Sequence, residues 1–252
     1  MVEITSNYSE EIMIFICFSG EERYSIVKNI IYHLGNFKID YWYDNYNLLL
    51  GDVKRKEIIE NGIYKSDYAI IIYSDSFFKH PSCVEEEQII LDLHKNNKIQ
   101  IFPILYNITF KDLPINTKTY LENIIYNEIY DSSNIYLTLN QIFVRILKDK
   151  YRLIQNRKFK FNNDYLKKVD DVFIKKELEF FLNINEQESN CKIITLKIIF
   201  DYLYYNKKVI NNKDLEYKMF TYLIKKINYN LSYDFKEIEL MSLIIYYYAI
   251  FL

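Results

Sequence analysis

The sequence predicts an α/β domain built on a parallel sheet, followed by a small all-α domain. Between residues 12 and 155, short apolar runs alternate with helical patterns of about ten to fifteen residues, which is typical of parallel βαβ units. The run 68–73 is continuously apolar, as expected for a strand that is buried on both faces. From residue 158 onwards the chain contains no Gly or Pro and no clear strand pattern. We therefore place the two domains at residues 1–157 and 158–252.

The first domain contains five predicted strands and four predicted helices. Strands are expected at about residues 12–18, 37–43, 68–73, 99–105 and 124–130. Helices are expected at about 19–34, 53–65, 82–95 and 133–154, where apolar residues recur every three or four positions. Gly35 is predicted to end the first helix as a C-cap, and Asp52 to begin the second as an N-cap. The predicted sheet core comprises Phe15, Ile16, Ile70, Ile71, Ile72, Ile101 and Phe102.

The second domain is predicted to be helical. Four helical patterns lie near residues 163–182, 190–206, 213–230 and 235–251, separated by polar segments. The polar junction 155–158 is the best candidate for the domain boundary. The apolar tail 240–252 is shorter than the roughly 20 residues that a membrane span needs, so we expect a buried helix or an oligomer contact.

Composition and charge argue against several classes of partner. The net charge is −2, so no strongly basic surface favours nucleic acid. The three cysteines, at 17, 83 and 191, have no metal-binding or redox spacing, and the three histidines form no metal pair. We expect Cys17 to be an inert apolar residue within a buried strand. The polar start of the chain shows no secretion signal, and the protein is expected to be cytoplasmic, with no membrane contact.

A candidate ligand site follows the strand 68–73. In an open α/β sheet, ligands bind beyond the carboxyl ends of the strands. The residues that follow this strand include two hydroxyls, Ser74 and Ser76, and a carboxylate cluster at 85–87 near the start of the next helix. A simpler interpretation of the cluster is that acidic residues in a first helical turn only favour the helix dipole.

Several common α/β chemistries lack their motifs in this chain. It has no GxxxxGKS/T phosphate loop, which excludes a P-loop NTPase. It has no GxGxxG after the first strand and no GxSxG elbow, which disfavours a dinucleotide Rossmann site and an α/β-hydrolase. A phospho-receiver domain would need an aspartate at the end of the third strand, where this chain has Ser74.

Seven short blocks of sequence carry a family resemblance. They are Phe15–Glu22, Tyr41–Asp44, Leu50–Asp52, Ile58–Ile63, Ser74–Phe78, Ser82–Glu86 and Ile101–Ile104. In this order and spacing they resemble a Toll/interleukin-1 receptor (TIR) domain over about residues 10–155. The resemblance implies a flavodoxin-like fold with five parallel strands. It also implies either an adaptor that assembles through the domain or, as in many bacterial members, an enzyme that cleaves NAD at the nicotinamide–ribose bond.

The resemblance assigns one catalytic residue. In the enzymes of this family, an essential glutamate lies three residues after the cysteine of a Trp-Cys-x-x-Glu motif. The matching residues here are Cys83 and Glu86, and the tryptophan position holds Ser82. Glu86 is therefore the predicted catalytic residue, whose charge would stabilise the positive charge that develops on the ribose. Its neighbours Glu85 and Glu87 point elsewhere on a helix and are expected to be dispensable.

The predicted substrate is NAD, with no metal and no further cofactor. Backbone N–H groups where the first helix begins are candidates for the pyrophosphate, and Arg23 for its oxygens, although a solvated arginine is an equally good interpretation. Phe18, Trp42 and Tyr46 are candidates for stacking on a base or on nicotinamide, with core packing as the alternative for Trp42. The predicted substrate-binding set is Phe18, Ser19, Arg23, Trp42, Asp44, Tyr46, Ser74, Ser76 and Cys83.

Two classes of function follow from the resemblance. The first is an NAD+ hydrolase or ADP-ribosyl cyclase in bacterial antiphage defence, which acts by NAD depletion or by a signal for a second effector or sensor protein. The second is a non-catalytic interaction module, or virulence mimic, that binds other TIR domains. Self-association is expected to use the loop 44–52, whose leucines Leu48, Leu49 and Leu50 are predicted to be exposed. The helical domain could serve ligand sensing, partner binding or oligomerisation.

Overall fold

The chain forms two compact units of different architecture. In the computed structural model, residues 12–151, 166–229 and 232–250 are described. The first unit comprises the described residues up to 35 together with 39–135, and the second comprises 36–38 and the described residues after 135. The predicted domain junction at 155–158 lies outside the described residues.

The first unit is built around a five-stranded parallel sheet. Its strands are β1 (Met13–Cys17), β2 (Asp40–Trp42), β3 (Tyr68–Tyr73), β4 (Gln100–Tyr106) and β5 (Asn127–Ile129). Their spatial order is β2-β1-β3-β4-β5, and every neighbouring pair runs parallel. The predicted five-stranded parallel sheet is therefore confirmed, with β2 and β5 shorter than expected.

Helices connect the strands of this unit. They are α1 (Lys28–Phe37), α2 (Asp44–Asn47), α3 (Lys54–Lys56), α4 (Pro81–Lys95) and α5 (Ile115–Leu121). Helical turns at Gly20–Val27 lead into α1, and further turns extend α3 to Lys65. α5 occupies a segment that the sequence pattern predicts as a loop. It forms because Thr109 and Asp112 cap the preceding turn reciprocally and Leu121 is buried.

The central strand β3 is buried along its whole length between β1 and β4. The predicted core residues Phe15, Ile16, Ile70, Ile71, Ile72 and Ile101 are buried, as expected. The prediction for Phe102 is wrong, because its side chain is only partly buried. It stacks on Tyr68 of the neighbouring strand, with ring centroids 5.7 Å apart. Successive residues of a strand face opposite sides of the sheet. The Phe102 ring can therefore stay partly in solvent while the residues on either side of it, Ile101 and Pro103, are buried.

Two predicted helix caps are wrong. α1 does not end at Gly35 but continues to Phe37, which is itself a buried apolar residue, and Lys38 then ends the helix with a left-handed φ of +56°. Asp52 does not cap α3. Its carboxylate instead accepts a hydrogen bond of 2.6 Å from the Leu49 N–H and closes a turn within the preceding loop.

The second unit is helical in its described part. Besides most of α6 (Ile135–Lys150), it contains α7 (Val172–Asn183), α8 (Ser189–Asp201), α9 (Leu215–Ile224) and α10 (Phe235–Ile250). The last four confirm the helical patterns predicted after residue 158. α10 is a buried helix, since its apolar side chains are enclosed, as at Leu240, Met241, Leu243, Ile244 and Ile245. Within the described ranges, no helix combines the length and the apolar character that crossing a bilayer requires.

Two glycines of the first unit should respond oppositely to alanine. A Cβ added to Gly62 would lie 2.9 Å from Phe15 and 3.0 Å from Trp42, whose rings stack in the core. Gly62→Ala should therefore lower the free energy of unfolding by about 1–3 kcal/mol, the usual cost of overpacking. Gly35 lies inside α1, and a new Cβ there would point into open space beyond its own helix, so Gly35→Ala should raise stability by up to about 1 kcal/mol. Scanning calorimetry tests the pair, and a stabilising Gly62→Ala would contradict it.

Candidate active site

The carboxyl ends of β1, β2 and β3 meet at one edge of the sheet, where the predicted site residues lie. Phe18 follows β1, Ser74 follows β3, and Asp44 lies two residues past the end of β2. Parallel pairing brings these chain segments together although they are far apart in sequence. A short loop then leads from β3 into α4, whose first turns carry Cys83 and Glu86.

Glu86 lies on α4 next to the end of β1. Its Oε2 accepts a hydrogen bond from the Cys17 thiol, with 3.5 Å between sulfur and oxygen. The side chain is half-buried, and burial raises the pKa of the carboxyl to about 7, well above its ordinary value. Cys17 and the cation of Lys54 oppose this rise in pKa, whereas the charges of Asp44 and Glu85 add to it. A carboxyl with a pKa near neutrality can both carry charge and exchange a proton at physiological pH.

The three consecutive glutamates of α4 have different surroundings. Glu85 pairs with Arg55, and both side chains are well exposed. Glu87 is buried, accepts a hydrogen bond of 3.0 Å from the Thr117 hydroxyl, and has its pKa raised by burial. The expected small structural cost of removing Glu87 is therefore wrong, because its removal would take the acceptor from the buried Thr117 hydroxyl; that Glu87 is dispensable for activity stays a prediction. Successive helical residues are rotated by about 100°, which explains why three adjacent carboxylates meet three environments.

The two cysteines of the site are buried thiols. Cys83 Sγ donates a hydrogen bond of 3.4 Å to the carbonyl oxygen of Phe18, which ties α4 to the segment after β1. Burial raises the pKa of Cys83 to about 11 and raises that of Cys17 well above its ordinary value. Both groups therefore stay neutral and weakly nucleophilic. Cys17 is buried as expected, but the prediction that it is a mere apolar residue is wrong, because it contacts Glu86.

Arg23 and Asp44 form a bidentate ion pair at the sheet edge. The two terminal nitrogens of Arg23 donate to the two carboxylate oxygens of Asp44 at 2.8 and 2.7 Å, and Nη1 also donates to the Tyr43 hydroxyl at 2.9 Å. The guanidinium carbon lies 5.3 Å from the ring centroids of both Phe18 and Tyr43. The hydrogen bond with Asp44 raises the pKa of Arg23. A phosphate oxygen would thus have to compete with Asp44 for this guanidinium.

The three aromatic residues predicted to stack on substrate lie in different environments. Phe18 is buried against Tyr43, with ring centroids 5.8 Å apart, and Tyr46 meets the same Tyr43 ring edge-on at 5.0 Å. Tyr46 is 63% exposed and can offer a ring face to a ligand. Trp42 is 5% exposed and stacks on Phe15 at 5.2 Å, so core packing describes its position.

Ser74 and Ser76 belong to a buried hydrogen-bond network. Their hydroxyls lie 3.0 Å apart, and Ser76 donates to Oε1 of Glu22 at 2.5 Å. Glu22 is missed by sequence patterns, because an acidic residue in a first helical turn is ordinary. Its Oε2 is buried with no hydrogen-bond partner among the described residues. Ser19 is also buried, and its hydroxyl caps the first turn by accepting a bond of 3.4 Å from the Glu21 N–H.

Lys54 is a second site residue that sequence patterns do not reveal. Its exposed ammonium group interacts electrostatically with Glu86 and with Cys83. It lies at the start of α3, and only the fold brings it near α4. In the part of the chain that the structure describes, no group of His, Cys, Asp and Glu side chains is arranged to bind a metal ion.

Comparisons with known proteins identify the family of the first unit. The TIR domain family matches residues 14–134. A probable 2′ cyclic ADP-D-ribose synthase of Methanobrevibacter olleyae is 34% identical over 105 residues, which are 41% of this chain and 30% of that protein. An NAD(+) hydrolase of a Theionarchaea archaeon is 30% identical over 144 residues, which are 56% of this chain and 42% of that protein. The matched part of the chain thus spans less than half the length of either relative.

One solved structure that matches part of this chain is the TIR domain of a Toll-related receptor from Hydra magnipapillata. The matched region is 53% of this chain and 96% of the receptor domain, with 23% identity and a TM-score of 0.43.

The family match includes β2 to β5, nearly all of β1, and the turns of α4 that carry Glu86. Residues 14–134 of this chain are therefore a TIR domain.

Proposed function

We propose that this TIR domain is an NAD-cleaving enzyme that breaks the bond between nicotinamide and ribose. The observation that carries the proposal is Glu86, a half-buried carboxyl with a pKa of about 7 at the carboxyl edge of the sheet. Groups whose pKa is strongly shifted by burial in a ligand-binding region are frequent in active sites. The names of the two relatives, an NAD(+) hydrolase and a probable cyclic ADP-D-ribose synthase, support this choice of reaction.

The first step of this reaction needs one carboxylate and no general acid. The bond between the nicotinamide nitrogen and the ribose C1′ breaks, and its electron pair stays on the nitrogen. The cationic pyridinium therefore leaves as neutral nicotinamide. Positive charge develops on the ribose, as in other glycosyl transfers. The ionised Glu86 would stabilise this charge or hold a ribose hydroxyl in place.

The second step decides between hydrolysis and cyclisation. In hydrolysis, a water oxygen bonds to C1′ and gives up a proton, which produces ADP-ribose. In cyclisation, a hydroxyl oxygen of the same molecule bonds to C1′ and gives up its proton, which produces a cyclic ADP-ribose. Glu86 is suited to accept the proton in either case, because its pKa lies near neutrality. Analysis of the products by mass spectrometry distinguishes the two.

We assign the exposed part of the sheet edge to substrate contact. Asp44 can accept hydrogen bonds from ribose hydroxyls, and Arg23 can donate to a phosphate oxygen that competes with Asp44 for the guanidinium. The exposed Tyr46 ring can stack on a base or on nicotinamide, whereas Phe18 is buried against Tyr43 and supports this edge from below. The remaining members of the predicted set are enclosed and hold the edge in shape; they are Ser19, Trp42, Ser74, Ser76 and Cys83.

Glu86→Gln should remove most NAD cleavage while leaving the fold intact. The amide keeps the shape of the side chain and removes its charge, so the loss reports electrostatic stabilisation. We expect a decrease of about a hundredfold to a thousandfold in rate, as for the removal of one preorganised electrostatic group. The measurement is nicotinamide release from NAD by the purified protein, with circular dichroism as the check on folding.

Glu85→Gln is the matched control, because Glu85 pairs with Arg55 on an exposed surface. Its loss should cost at most about 1 kcal/mol of stability and little activity. Glu87→Gln is unsuitable, since Glu87 is buried against Thr117. An inactive Glu85→Gln beside an active Glu86→Gln would show that the catalytic assignment is wrong. A wild type that releases no nicotinamide in any oligomeric state would favour the interaction-module alternative.

The rate of NAD cleavage should rise with pH through a midpoint near 7. Glu86 must be ionised to stabilise the ribose charge, and its ionised fraction falls as the pH drops below its pKa of about 7. The pH profile of kcat/KM reports this group in the free enzyme. In the complex, the positive pyridinium favours the carboxylate, so the midpoint of the kcat profile should be lower. A kcat/KM profile that is flat from about pH 5.5 to 8.5 would contradict this assignment.

We further propose that the domain self-associates through residues 44–52, where the predicted loop begins with the short helix α2 and only the residues after Asn47 form a loop. Leu49 is 72% exposed and Leu50 is fully exposed, and Val53 just beyond the loop is also exposed. Leu48 is partly buried against the core, so the prediction of exposure is wrong for this one leucine. Adjacent exposed apolar side chains of this kind are typical of a contact surface.

Replacing Leu49 and Leu50 by Ser should lower specific activity if the active form is an oligomer. The specific activity of the wild type should then rise with protein concentration. The double variant should remain monomeric, and its specific activity should stay low at every concentration. Ile125→Ser is the control, because it removes an apolar side chain that is 89% exposed and lies outside this loop. Light scattering and nicotinamide release are measured on the same samples. Full activity of a verified monomer, independent of concentration, would refute the role of assembly.

We also propose a role in antiphage defence, through NAD depletion or through a product that activates a second effector. This role rests on analogy with the family. Loss of cellular NAD after infection, in cells that carry the wild type and not in cells that carry Glu86→Gln, would support it.

A further inference from the structure

Cys17 is the last residue of β1 and lies next to Glu86. Its side chain is fully buried, and its register partner in β3 is Ile71. The sulfur lies 3.5 Å from Oε2 of Glu86 and 3.9 Å from the carbonyl oxygen of Cys83. The shorter contact is made with the carboxylate, which is also the stronger acceptor when it is charged.

We propose that Cys17 is a positioning residue, whose thiol donates a hydrogen bond that orients the Glu86 carboxylate at the sheet edge and favours its ionised form. This role deepens the proposed function of Glu86, on which it rests. Cys17 acts through Glu86 and not on the substrate, because its own side chain has no exposed surface.

The thiol remains a donor over the range in which Glu86 titrates. Burial and then the charge of Glu86 raise the pKa of Cys17 well above its ordinary value, and Cys83 and Glu87 act in the same direction. The S–H proton therefore stays in place near neutral pH, while the carboxylate is the group that changes charge. Because S–H is a weak donor, we expect its removal to shift the titration of Glu86 by about half a pH unit.

The other charged groups around Glu86 are more open to solvent. Lys54 favours the ionised form of Glu86, whereas Asp44 and Glu85 disfavour it. Lys54 and Glu85 have exposed side chains, so salt weakens their effects. The hydrogen bond from the buried Cys17 is not screened in this way, and measurements at about 0.5 M salt should isolate it.

The test compares Cys17→Ala and Cys17→Ser in the full chain. Carbon-13 NMR follows the titration of the Glu86 carboxyl, and kcat/KM for NAD is measured over the same pH range. Cys17→Ala should raise both midpoints by about half a pH unit, since the charged form loses a donor. Cys17→Ser supplies a hydroxyl donor and should return both midpoints to within about 0.2 unit of the wild type.

Two further variants separate the hydrogen bond from packing. Ile71→Val loosens the core beside Cys17 and should lower the unfolding temperature without moving the midpoints. Cys191→Ala removes an exposed thiol and should change neither. The positioning role is overturned if Ile71→Val shifts the Glu86 titration as much as Cys17→Ala does, or if Cys17→Ala leaves it in place.

The NMR titration does not depend on turnover, so the two proposals can fail separately. If the wild type releases no nicotinamide, the enzymatic function fails, while the response of Glu86 to Cys17→Ala still decides whether the hydrogen bond acts on the carboxylate. If the wild type cleaves NAD and neither midpoint responds to Cys17→Ala, only the positioning role fails.

Discussion

The site depends on the central strand β3, which is buried at every residue and paired with a parallel strand on each side. Burial fixes its register, because a slip of one residue would move every side chain to the opposite layer. The end of β3 then sets where Ser74 and Ser76 emerge and where α4 begins. The Cys83 thiol ties α4 to the segment after β1, and this contact places Glu86 beside the end of that strand.

Holding Glu86 at this edge costs folding free energy at neutral and alkaline pH. Burial disfavours the charged form, so the pKa of about 7 in the folded chain lies above the ordinary value expected in an unfolded one. The protonated Glu86 carboxyl is tolerated in the fold better than the ionised one. Its stabilising contribution is complete at pH values below the ordinary pKa, and it is lost as the pH rises through about 7. Such a cost is common where reactivity is needed, because a neutral replacement would be more stable and chemically inert.

Local periodicity predicts the strands and helices, because each depends mainly on its own stretch of sequence. It does not predict the surroundings of individual side chains. Glu85, Glu86 and Glu87 are identical in type, and only tertiary packing exposes the first, half-buries the second and buries the third. Glu22 and Ser76 form their hydrogen bond across 54 positions, a separation that no local pattern reveals. Periodicity alone does not select one of these three glutamates as the candidate catalytic residue. The family resemblance selects Glu86, because it lies three residues after Cys83 as in the family motif.

The stack of Trp42 on Phe15 gives the first unit an optical reporter of its own. Trp42 is the one tryptophan of the chain, and it is 5% exposed. Its fluorescence, excited at wavelengths that tyrosine does not absorb, responds to the packing of the sheet core. The helical unit contributes no indole emission, although it is rich in tyrosine. Unfolding of the sheet can therefore be followed in the intact chain by the wavelength of Trp42 emission. A ligand that binds only the TIR domain should raise the unfolding temperature seen by Trp42 and leave that of the helical unit unchanged.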